Sequence, residues 1–170
     1  SKSLGNFFTI RDILKRYNPE VLRFFILSAH YRSPIDFSDQ NLIDAEAGLR
    51  RFYEALQAGD EAIDAAEQGQ AGAEGAKLDA NFRAAMDDDF NSALAIAHLF
   101  EAVRTVNRLI ATKKFRKKAE LVATVADLLQ RVRALAAVLG VLQSEPLAWL
   151  EQQKIAGLAD LGIDPSEIAA

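Results

Sequence analysis

The chain has 170 residues, of which 50% are apolar and 26% charged, and its formal net charge at pH 7 is −4. This composition is typical of a globular protein of one or two domains, and no apolar run approaches the roughly 20 residues that span a membrane. The absence of cysteine excludes disulfides and thiolate metal ligands from this chain.

Charge is distributed unevenly along the chain. Residues 58–90 carry two basic and nine acidic side chains, whereas residues 91–133 carry nine basic and three acidic ones, a local net charge of +6. Because a phosphate backbone responds to local charge and not to the total, the second stretch keeps RNA binding open.

Side chains that cap helices mark the first two predicted helices. Thr9 and Asp12 form a capping box for a helix over about 10–17, because their hydroxyl and carboxylate satisfy free N–H groups of the first turn. Asn18, followed by proline, begins a second helix over about 19–29. This second helix is apolar nearly all round, which predicts burial on several sides.

A short extended segment and a third helix follow. The alternation near residues 35–38 predicts at most a small two-stranded element, with residues 6–9 as its partner. Ser38 caps a third helix over about 39–57. Residues 58–76 are rich in Gly, Ala, Gln and Glu and lack a large-apolar pattern, so we predict a flexible linker there.

The second half of the chain predicts a helical bundle. Apolar residues recur at helical spacing over about 92–112 and 117–139, and Gly140 stands where a helix C-cap belongs. Pro146 opens a further short helix. The predicted fold is therefore mainly α, with residues 1–57 as a first helical segment, 58–76 as the linker, 77–153 as the bundle, and 154–170 as a linker and the start of a further helix.

None of the common catalytic motifs occurs in this sequence. It has no G-x-S-x-G, no glycine-rich phosphate loop and no H-E-x-x-H. His30 and His98 are isolated along the chain, so we expect ordinary surface or core histidines. The run over residues 87–89 is three aspartates without the alternating spacing of a calcium loop, so we attribute it to helix capping and predict no metal site in this chain.

Basic residues cluster where two predicted helices of the bundle meet. Such a run either contacts RNA or forms a solvated face, and contact with phosphates is the mode that we expect if it binds RNA. The candidate contact residues are Arg104 and Arg108 on one helix and Lys113, Lys114, Arg116, Lys117 and Lys118 at the junction.

Several stretches resemble one family of enzymes. Ser1-Lys2-Ser3 is similar to the end of the K-M-S-K-S loop of class I aminoacyl-tRNA synthetases. Glu20-Val21-Leu22-Arg23 stands where related enzymes carry the D-A-L-R signature of a helical domain. The stretches that resemble cysteinyl-tRNA synthetases in particular are residues 6–14, 19–25, 28–34, 88–92 and 139–142, so the resemblance covers roughly residues 1–150.

The resemblance implies a ligase that activates cysteine with ATP and transfers it to tRNA(Cys) in translation. Lys2 matches the second lysine of the loop motif, which contacts ATP, and the motif remnant is Ser1, Lys2 and Ser3. The family uses ATP with Mg and a zinc ion, but its zinc ligands are not in this chain. We expect a cytoplasmic monomer with no membrane contact, of which this chain is a fragment that is inactive by itself.

The resemblance also adds two RNA candidates and leaves alternatives open. Arg50 and Arg51 lie where the family's stem-contact region meets the inner side of the tRNA, so they are further candidates for tRNA contact. One alternative is the related cysteine ligase of mycothiol biosynthesis, which joins cysteine to an amino sugar and needs no tRNA surface. Another is a non-catalytic helical RNA-binding module.

Overall fold

The computed structural model describes residues 9–29, 32–66 and 69–162. These residues confirm a mainly α fold, and no strand occurs among them. Residues 35–38 therefore form no strand, and their predicted partner at 6–9 lies almost entirely outside the described residues. The helices are α1 (Ile10–Arg16), α2 (Pro19–Ser28), α3 (Asp39–Ile63), α4 (Glu74–Asp87), α5 (Ser92–Ile110), α6 (Ala119–Leu139) and α7 (Pro146–Asp160), with a 3-10 turn at Phe115–Lys117 between α5 and α6.

The predicted caps are present at the helix ends. The Thr9 hydroxyl accepts a hydrogen bond from the Asp12 N–H, and the Asp12 carboxylate accepts one from the Thr9 N–H, which completes the capping box. Asn18 caps α2 by accepting from the Glu20 N–H at 2.9 Å. Gly140 ends α6 with φ +70°, a left-handed conformation that glycine adopts without steric cost.

The third helix is longer than the sequence predicts. We expected it to end near residue 57, but α3 continues to Ile63, so the first six residues of the predicted linker are helical. A methyl group at Gly59 would lie 2.8 Å from Leu129 Cδ2, so this glycine permits close contact between α3 and α6. The boundary was wrong because small residues that pack closely look like linker residues when only the sequence is read. The last helix is also longer than predicted, because α7 continues to Asp160 and residues 154–160 are therefore helical where we expected a linker. The division into domains itself stays a prediction.

Four helices, α3, α4, α5 and α6, contribute most of the buried core. α5 runs antiparallel to α4 after the short turn at residues 88–91, and α6 packs against α3, α4 and α5. α2 and α7 both cover α3. The Phe52 ring stacks on the Phe100 ring at 4.1 Å between centroids and meets the Phe24 ring edge-on at 6.1 Å, which joins α2, α3 and α5.

The described helices differ from membrane-spanning helices in length or hydropathy. Not one of them is both long enough and apolar enough to pass through a lipid bilayer.

Candidate functional site

The residue predicted to contact ATP lies outside the described part of the chain. The first residue that the structure describes is residue 9. The motif remnant, Ser1, Lys2 and Ser3, and most of the segment between it and α1 precede that residue. The role of Lys2 therefore stays a prediction.

The junction between α5 and α6 presents a group of exposed cations, which we call the basic turn (residues 113–118). Phe115 anchors this turn, because its side chain is only 5% exposed and joins the core, so it is not available for base stacking. Lys114 adopts a left-handed conformation with φ +59°, which reverses the chain next to the anchor. The five charged side chains of the basic turn are exposed: Lys113, Lys114, Arg116, Lys117 and Lys118.

The arginine of the basic turn has a hydrogen-bond partner in α3. Arg116 Nη2 donates a hydrogen bond to the backbone oxygen of Glu61 at 2.6 Å and so satisfies a carbonyl in the last turn of α3. Among the residues that the structure describes, no lysine of the basic turn forms a salt bridge. Cations after α5 also complement its negative C-terminal end, so a solvated face is the alternative to RNA contact.

Arg104 and Arg108 lie in a different place, the groove between α4 and α5. This groove has a volume of about 340 Å³ and also contains Lys77 of α4. Two acidic residues, Glu74 and Glu101, line it as well and reduce its positive charge. The sequence analysis missed Lys77 because this residue belongs to the acidic stretch 58–90, and only the packing of α4 against α5 adds it to the basic group.

His98 lines the same groove between α4 and α5. Its Nδ1 lies 3.4 Å from Glu101 Oε2, one turn along α5, so His98 has a local polar partner. This arrangement fits the ordinary histidine that the sequence predicted. His30 lies outside the described residues.

Arg50 and Arg51 are separated from the other basic candidates. Both are exposed on α3, and Arg50 pairs with Glu46 one turn earlier at 3.6 Å. Arg51 precedes the end of α3 by twelve residues, which is about 18 Å along the helix axis. The structure therefore brings the candidates together as three groups: the basic turn, the α4–α5 groove and the middle of α3.

The signature residues 20–23 of α2 hold the turn that follows α6. The Glu20 carboxylate accepts hydrogen bonds from Tyr53 Oη at 3.0 Å and from the backbone N–H of Leu142 at 2.5 Å. Arg23 Nη1 donates to the backbone oxygen of Gly140 at 2.7 Å. The two middle residues of the signature, valine and leucine, are buried in the core. The sequence identified the signature without indicating these partners, because they lie far along the chain.

Tyr53 is fully buried beside the Glu20 carboxylate. Its ring stacks on the Trp149 ring of α7 at 4.4 Å between centroids. Burial, and secondly the negative charge of Glu20, raise the pKa of Tyr53 to about 12. The phenol therefore remains a neutral donor to Glu20 throughout the physiological range.

The described residues contain no group of three or more His, Cys, Asp or Glu side chains arranged to hold a metal ion. In the run over 87–89, Asp89 pairs with Arg32 at 3.1 Å. Capping of α5 falls to Asn91 instead, whose Oδ1 accepts from the Leu94 N–H at 3.1 Å. The attribution of the three aspartates to helix capping was therefore wrong.

Comparison with protein families defines the class first. A model described as the class I (C) tRNA synthetase catalytic domain matches residues 1–47, and one described as the DALR domain matches residues 81–143. The first match includes α1, α2 and the signature, and the second includes α5, the basic turn and α6.

Individual relatives then define the family. A protein named cysteine–tRNA ligase from Syntrophotalea carbinolica is 61% identical over 99% of this chain, and one from Pelobacter propionicus is 50% identical over 99%. A third, from Geobacter sulfurreducens, is 48% identical over 99%. These matches confirm the family predicted from the sequence, the cysteinyl-tRNA synthetases. The chain spans only 35–37% of the length of these relatives.

Proposed function

We propose that this chain is part of a cysteine–tRNA ligase, which activates cysteine with ATP and transfers it to tRNA(Cys). The observation that carries the proposal is the 61% identity over 99% of the chain to a protein of that name. In this proposal residues 1–57 supply the end of the ATP loop and the stem-contact helices, and residues 77–153 form the tRNA-facing bundle. The complete protein acts as a cytoplasmic monomer.

Within that enzyme, Lys2 acts on the activation step. As the cysteine carboxylate attacks the α-phosphate of ATP, pyrophosphate departs and negative charge builds on the transferring oxygens. An ammonium brought to those oxygens stabilises this transition state more than the ground state. ATP enters with Mg as a substrate.

Zinc, the other group that the family implies, does not fit this chain. Zinc sites are built from cysteine, histidine and carboxylate ligands. The chain has no cysteine, and its described residues hold no suitable cluster of the other ligand types. We therefore assign the zinc ligands to the rest of the protein and derive no step through the metal.

The basic turn and the neighbouring groove serve tRNA in this proposal. Exposed lysines without salt-bridge partners lose little when they contact phosphates, because no internal ion pair has to break. The lysines of the basic turn meet this description better than Arg116 and Arg50, which already have partners within the chain. The Arg104–Arg108 groove is a second contact zone, weakened by its two glutamates.

Two assays on the full-length protein test the proposed function. We expect cysteine-dependent exchange of pyrophosphate into ATP, and charging of tRNA(Cys) with cysteine. Transfer of cysteine to an amino sugar without tRNA charging would contradict the proposal in favour of the mycothiol-type ligase. The 170-residue chain alone is the control, and we expect no pyrophosphate exchange from it above background.

A further inference from the structure

The turn between α6 and α7 is held from outside by α2. This turn, residues 140–144, forms a hydrogen bond with α2 at each of two points: the Gly140 oxygen accepts one from Arg23 Nη1, and the Leu142 N–H donates one to Glu20. These contacts join residues 117 and 122 positions apart in sequence. We call the pair Glu20 and Arg23 the clasp.

The backbone of this turn depends on the clasp. Leu142 has φ +58°, which is uncommon for a residue with a side chain, and its side chain is nevertheless buried at 4% exposure. Its N–H donates to Glu20, and no backbone carbonyl of the described residues accepts from it. Removing the carboxylate would leave a buried donor unpaired, so the turn has little reason to keep its shape without Glu20.

Two other helices, α3 and α7, are also connected to the clasp. Tyr53 of α3 donates a hydrogen bond to Glu20 and accepts one from the Ser144 N–H at 3.3 Å. Tyr53 therefore connects Glu20 to the last residue of the turn. Because the Tyr53 ring stacks on Trp149, α7 is bound to the same point. A single carboxylate thus links α2, α3, the α6–α7 turn and, through Tyr53, α7.

The position of the clasp suggests what it is for. Its donor and acceptor side chains lie in the part matched by the catalytic-domain model, whereas Gly140 and Leu142 lie in the part matched by the DALR model. The clasp is therefore a contact between the two matched regions. It begins on α2, which follows the ATP-loop remnant by fewer than twenty residues.

We propose that Glu20 and Arg23 are positioning residues for tRNA charging, which hold the helical bundle at the orientation to α2 that this step requires. The inference rests on the proposed function. A tRNA bound to the bundle must reach the adenylate with its acceptor end, so a change in bundle orientation affects the transfer step. Cysteine activation needs no tRNA, so it does not depend on the clasp.

Four variants of the full-length protein separate positioning from general stability. Glu20→Gln and Arg23→Gln weaken the clasp, and Arg23→Lys keeps a charged donor at the same place. Arg131→Gln is the matched control, because Arg131 of α6 also donates to a carboxylate on another helix, Asp79 of α4, but both residues lie within the bundle. Thermal unfolding of each variant identifies a temperature at which all are folded.

We expect the two weakened variants to lower kcat/KM for tRNA in charging by about tenfold, the scale of one lost charge-assisted hydrogen bond. Cysteine-dependent pyrophosphate exchange should stay within about twofold of wild type. Arg23→Lys should recover part of the loss, and Arg131→Gln should leave both assays within about twofold. Equal losses in the two assays, or the same split in Arg131→Gln, would overturn the proposal.

Hydrogen exchange on the 170-residue chain tests the clasp independently of any activity. Glu20→Gln should accelerate exchange of the Leu142 and Ser144 amides, while amides in the middle of α5 keep their wild-type rates. Unchanged exchange at residues 142 and 144 would overturn the clasp even if the enzyme assays support the proposed function. Conversely, a wild-type protein without tRNA charging would contradict the proposed function, whatever the exchange data show.

Discussion

The helices before residue 38 and those of the bundle bury their apolar residues differently. In α5 and α6 the large apolar side chains mostly face neighbouring helices of the same chain, as Leu99, Val106 and Leu128 do with exposures of 0–1%. In α1 and α2, Ile13 and Phe24 are buried, but Ile10, Leu14 and Ile26 are 61%, 44% and 41% exposed. The long helices α5 and α6 together expose two large apolar residues, Leu94 and Val138, whereas the much shorter α1 and α2 together expose three.

The two regions therefore differ in how far contacts within the chain stabilise them. Most of the large apolar residues of α5 and α6 are buried within the chain, so the stability of these helices should depend on contacts within the chain. The exposed apolar residues of α1 and α2 have no cover among the described residues, which is typical of an interaction surface.

The same leucine-to-alanine substitution should lower the free energy of unfolding much more in the bundle than in α1. Leu128→Ala in α6 removes a side chain that is 1% exposed and should lower the free energy of unfolding by about 2–5 kcal/mol, through lost burial and a cavity. Leu14→Ala in α1, where the side chain is 44% exposed, should cost about 0.5 kcal/mol or less. Urea unfolding of the 170-residue chain measures both. Equal losses would mean that α1 is as well packed as the bundle.

The second prediction places the chemistry in the first region. In the full-length protein, Lys2→Ala should slow formation of the cysteinyl adenylate by about 10²–10³-fold, the scale of one transition-state charge contact. The affinity for cysteine should change much less, because Lys2 acts on the phosphates. Single-turnover activation kinetics measure the effect, and Lys15→Ala on the exposed side of α1 is the control. An unchanged activation rate would refute the motif assignment.

The third prediction concerns Tyr53, which links the two regions. The pKa of Tyr53 is raised from 10.0 to about 12, so the unfolded chain loses the phenolic proton at a lower pH than the folded chain. The folded state then binds more protons between these values, and the free energy of unfolding should fall as pH rises, by about 1 kcal/mol between about pH 9 and pH 11.

Tyr53→Phe isolates this contribution. The phenylalanine variant lacks the titrating group, so its free energy of unfolding should fall less over the same interval. Urea unfolding at the two pH values measures the difference between the variant and the wild type. Parallel losses of stability in both proteins would show that other groups produce the alkaline effect.

The fourth prediction places RNA contact in the second region. Replacing Lys113, Lys114, Lys117 and Lys118 by alanine in the full-length protein should weaken tRNA binding and flatten its salt dependence. The expected change is about 0.7–0.9 log units per lost contact for each tenfold rise in salt. Adenylate formation should remain near wild type. Variants of Arg50 and Arg51 should likewise lower tRNA charging and leave cysteine activation near wild type. Identical salt slopes for the wild type and the fourfold lysine variant would show that the basic turn is only a solvated face.

Local signals made most helices predictable. Caps at Thr9, Asn18 and Gly140 act within one turn of their own position, so the sequence states them directly, and the structure contains all three. The end of α3 was misplaced because Gly59 has two possible meanings. Glycine is a linker residue in open chain and a close-packing residue at a helix contact, and only the position of Leu129 distinguishes these cases.

The features of the candidate site also fall into those that local sequence predicts and those that depend on tertiary packing. The sequence by itself determined the family, the signature on α2 and the list of basic residues, because each depends on residue identity over short stretches. Which of those residues lie together depends on the tertiary structure. Packing of α4 against α5 places Lys77 in the α4–α5 groove. Arg116 forms a hydrogen bond with α3, and Glu20 forms one with Leu142. The physical reason is range, since capping and periodicity act over a few residues, whereas these contacts form only when packing brings distant segments within hydrogen-bonding distance.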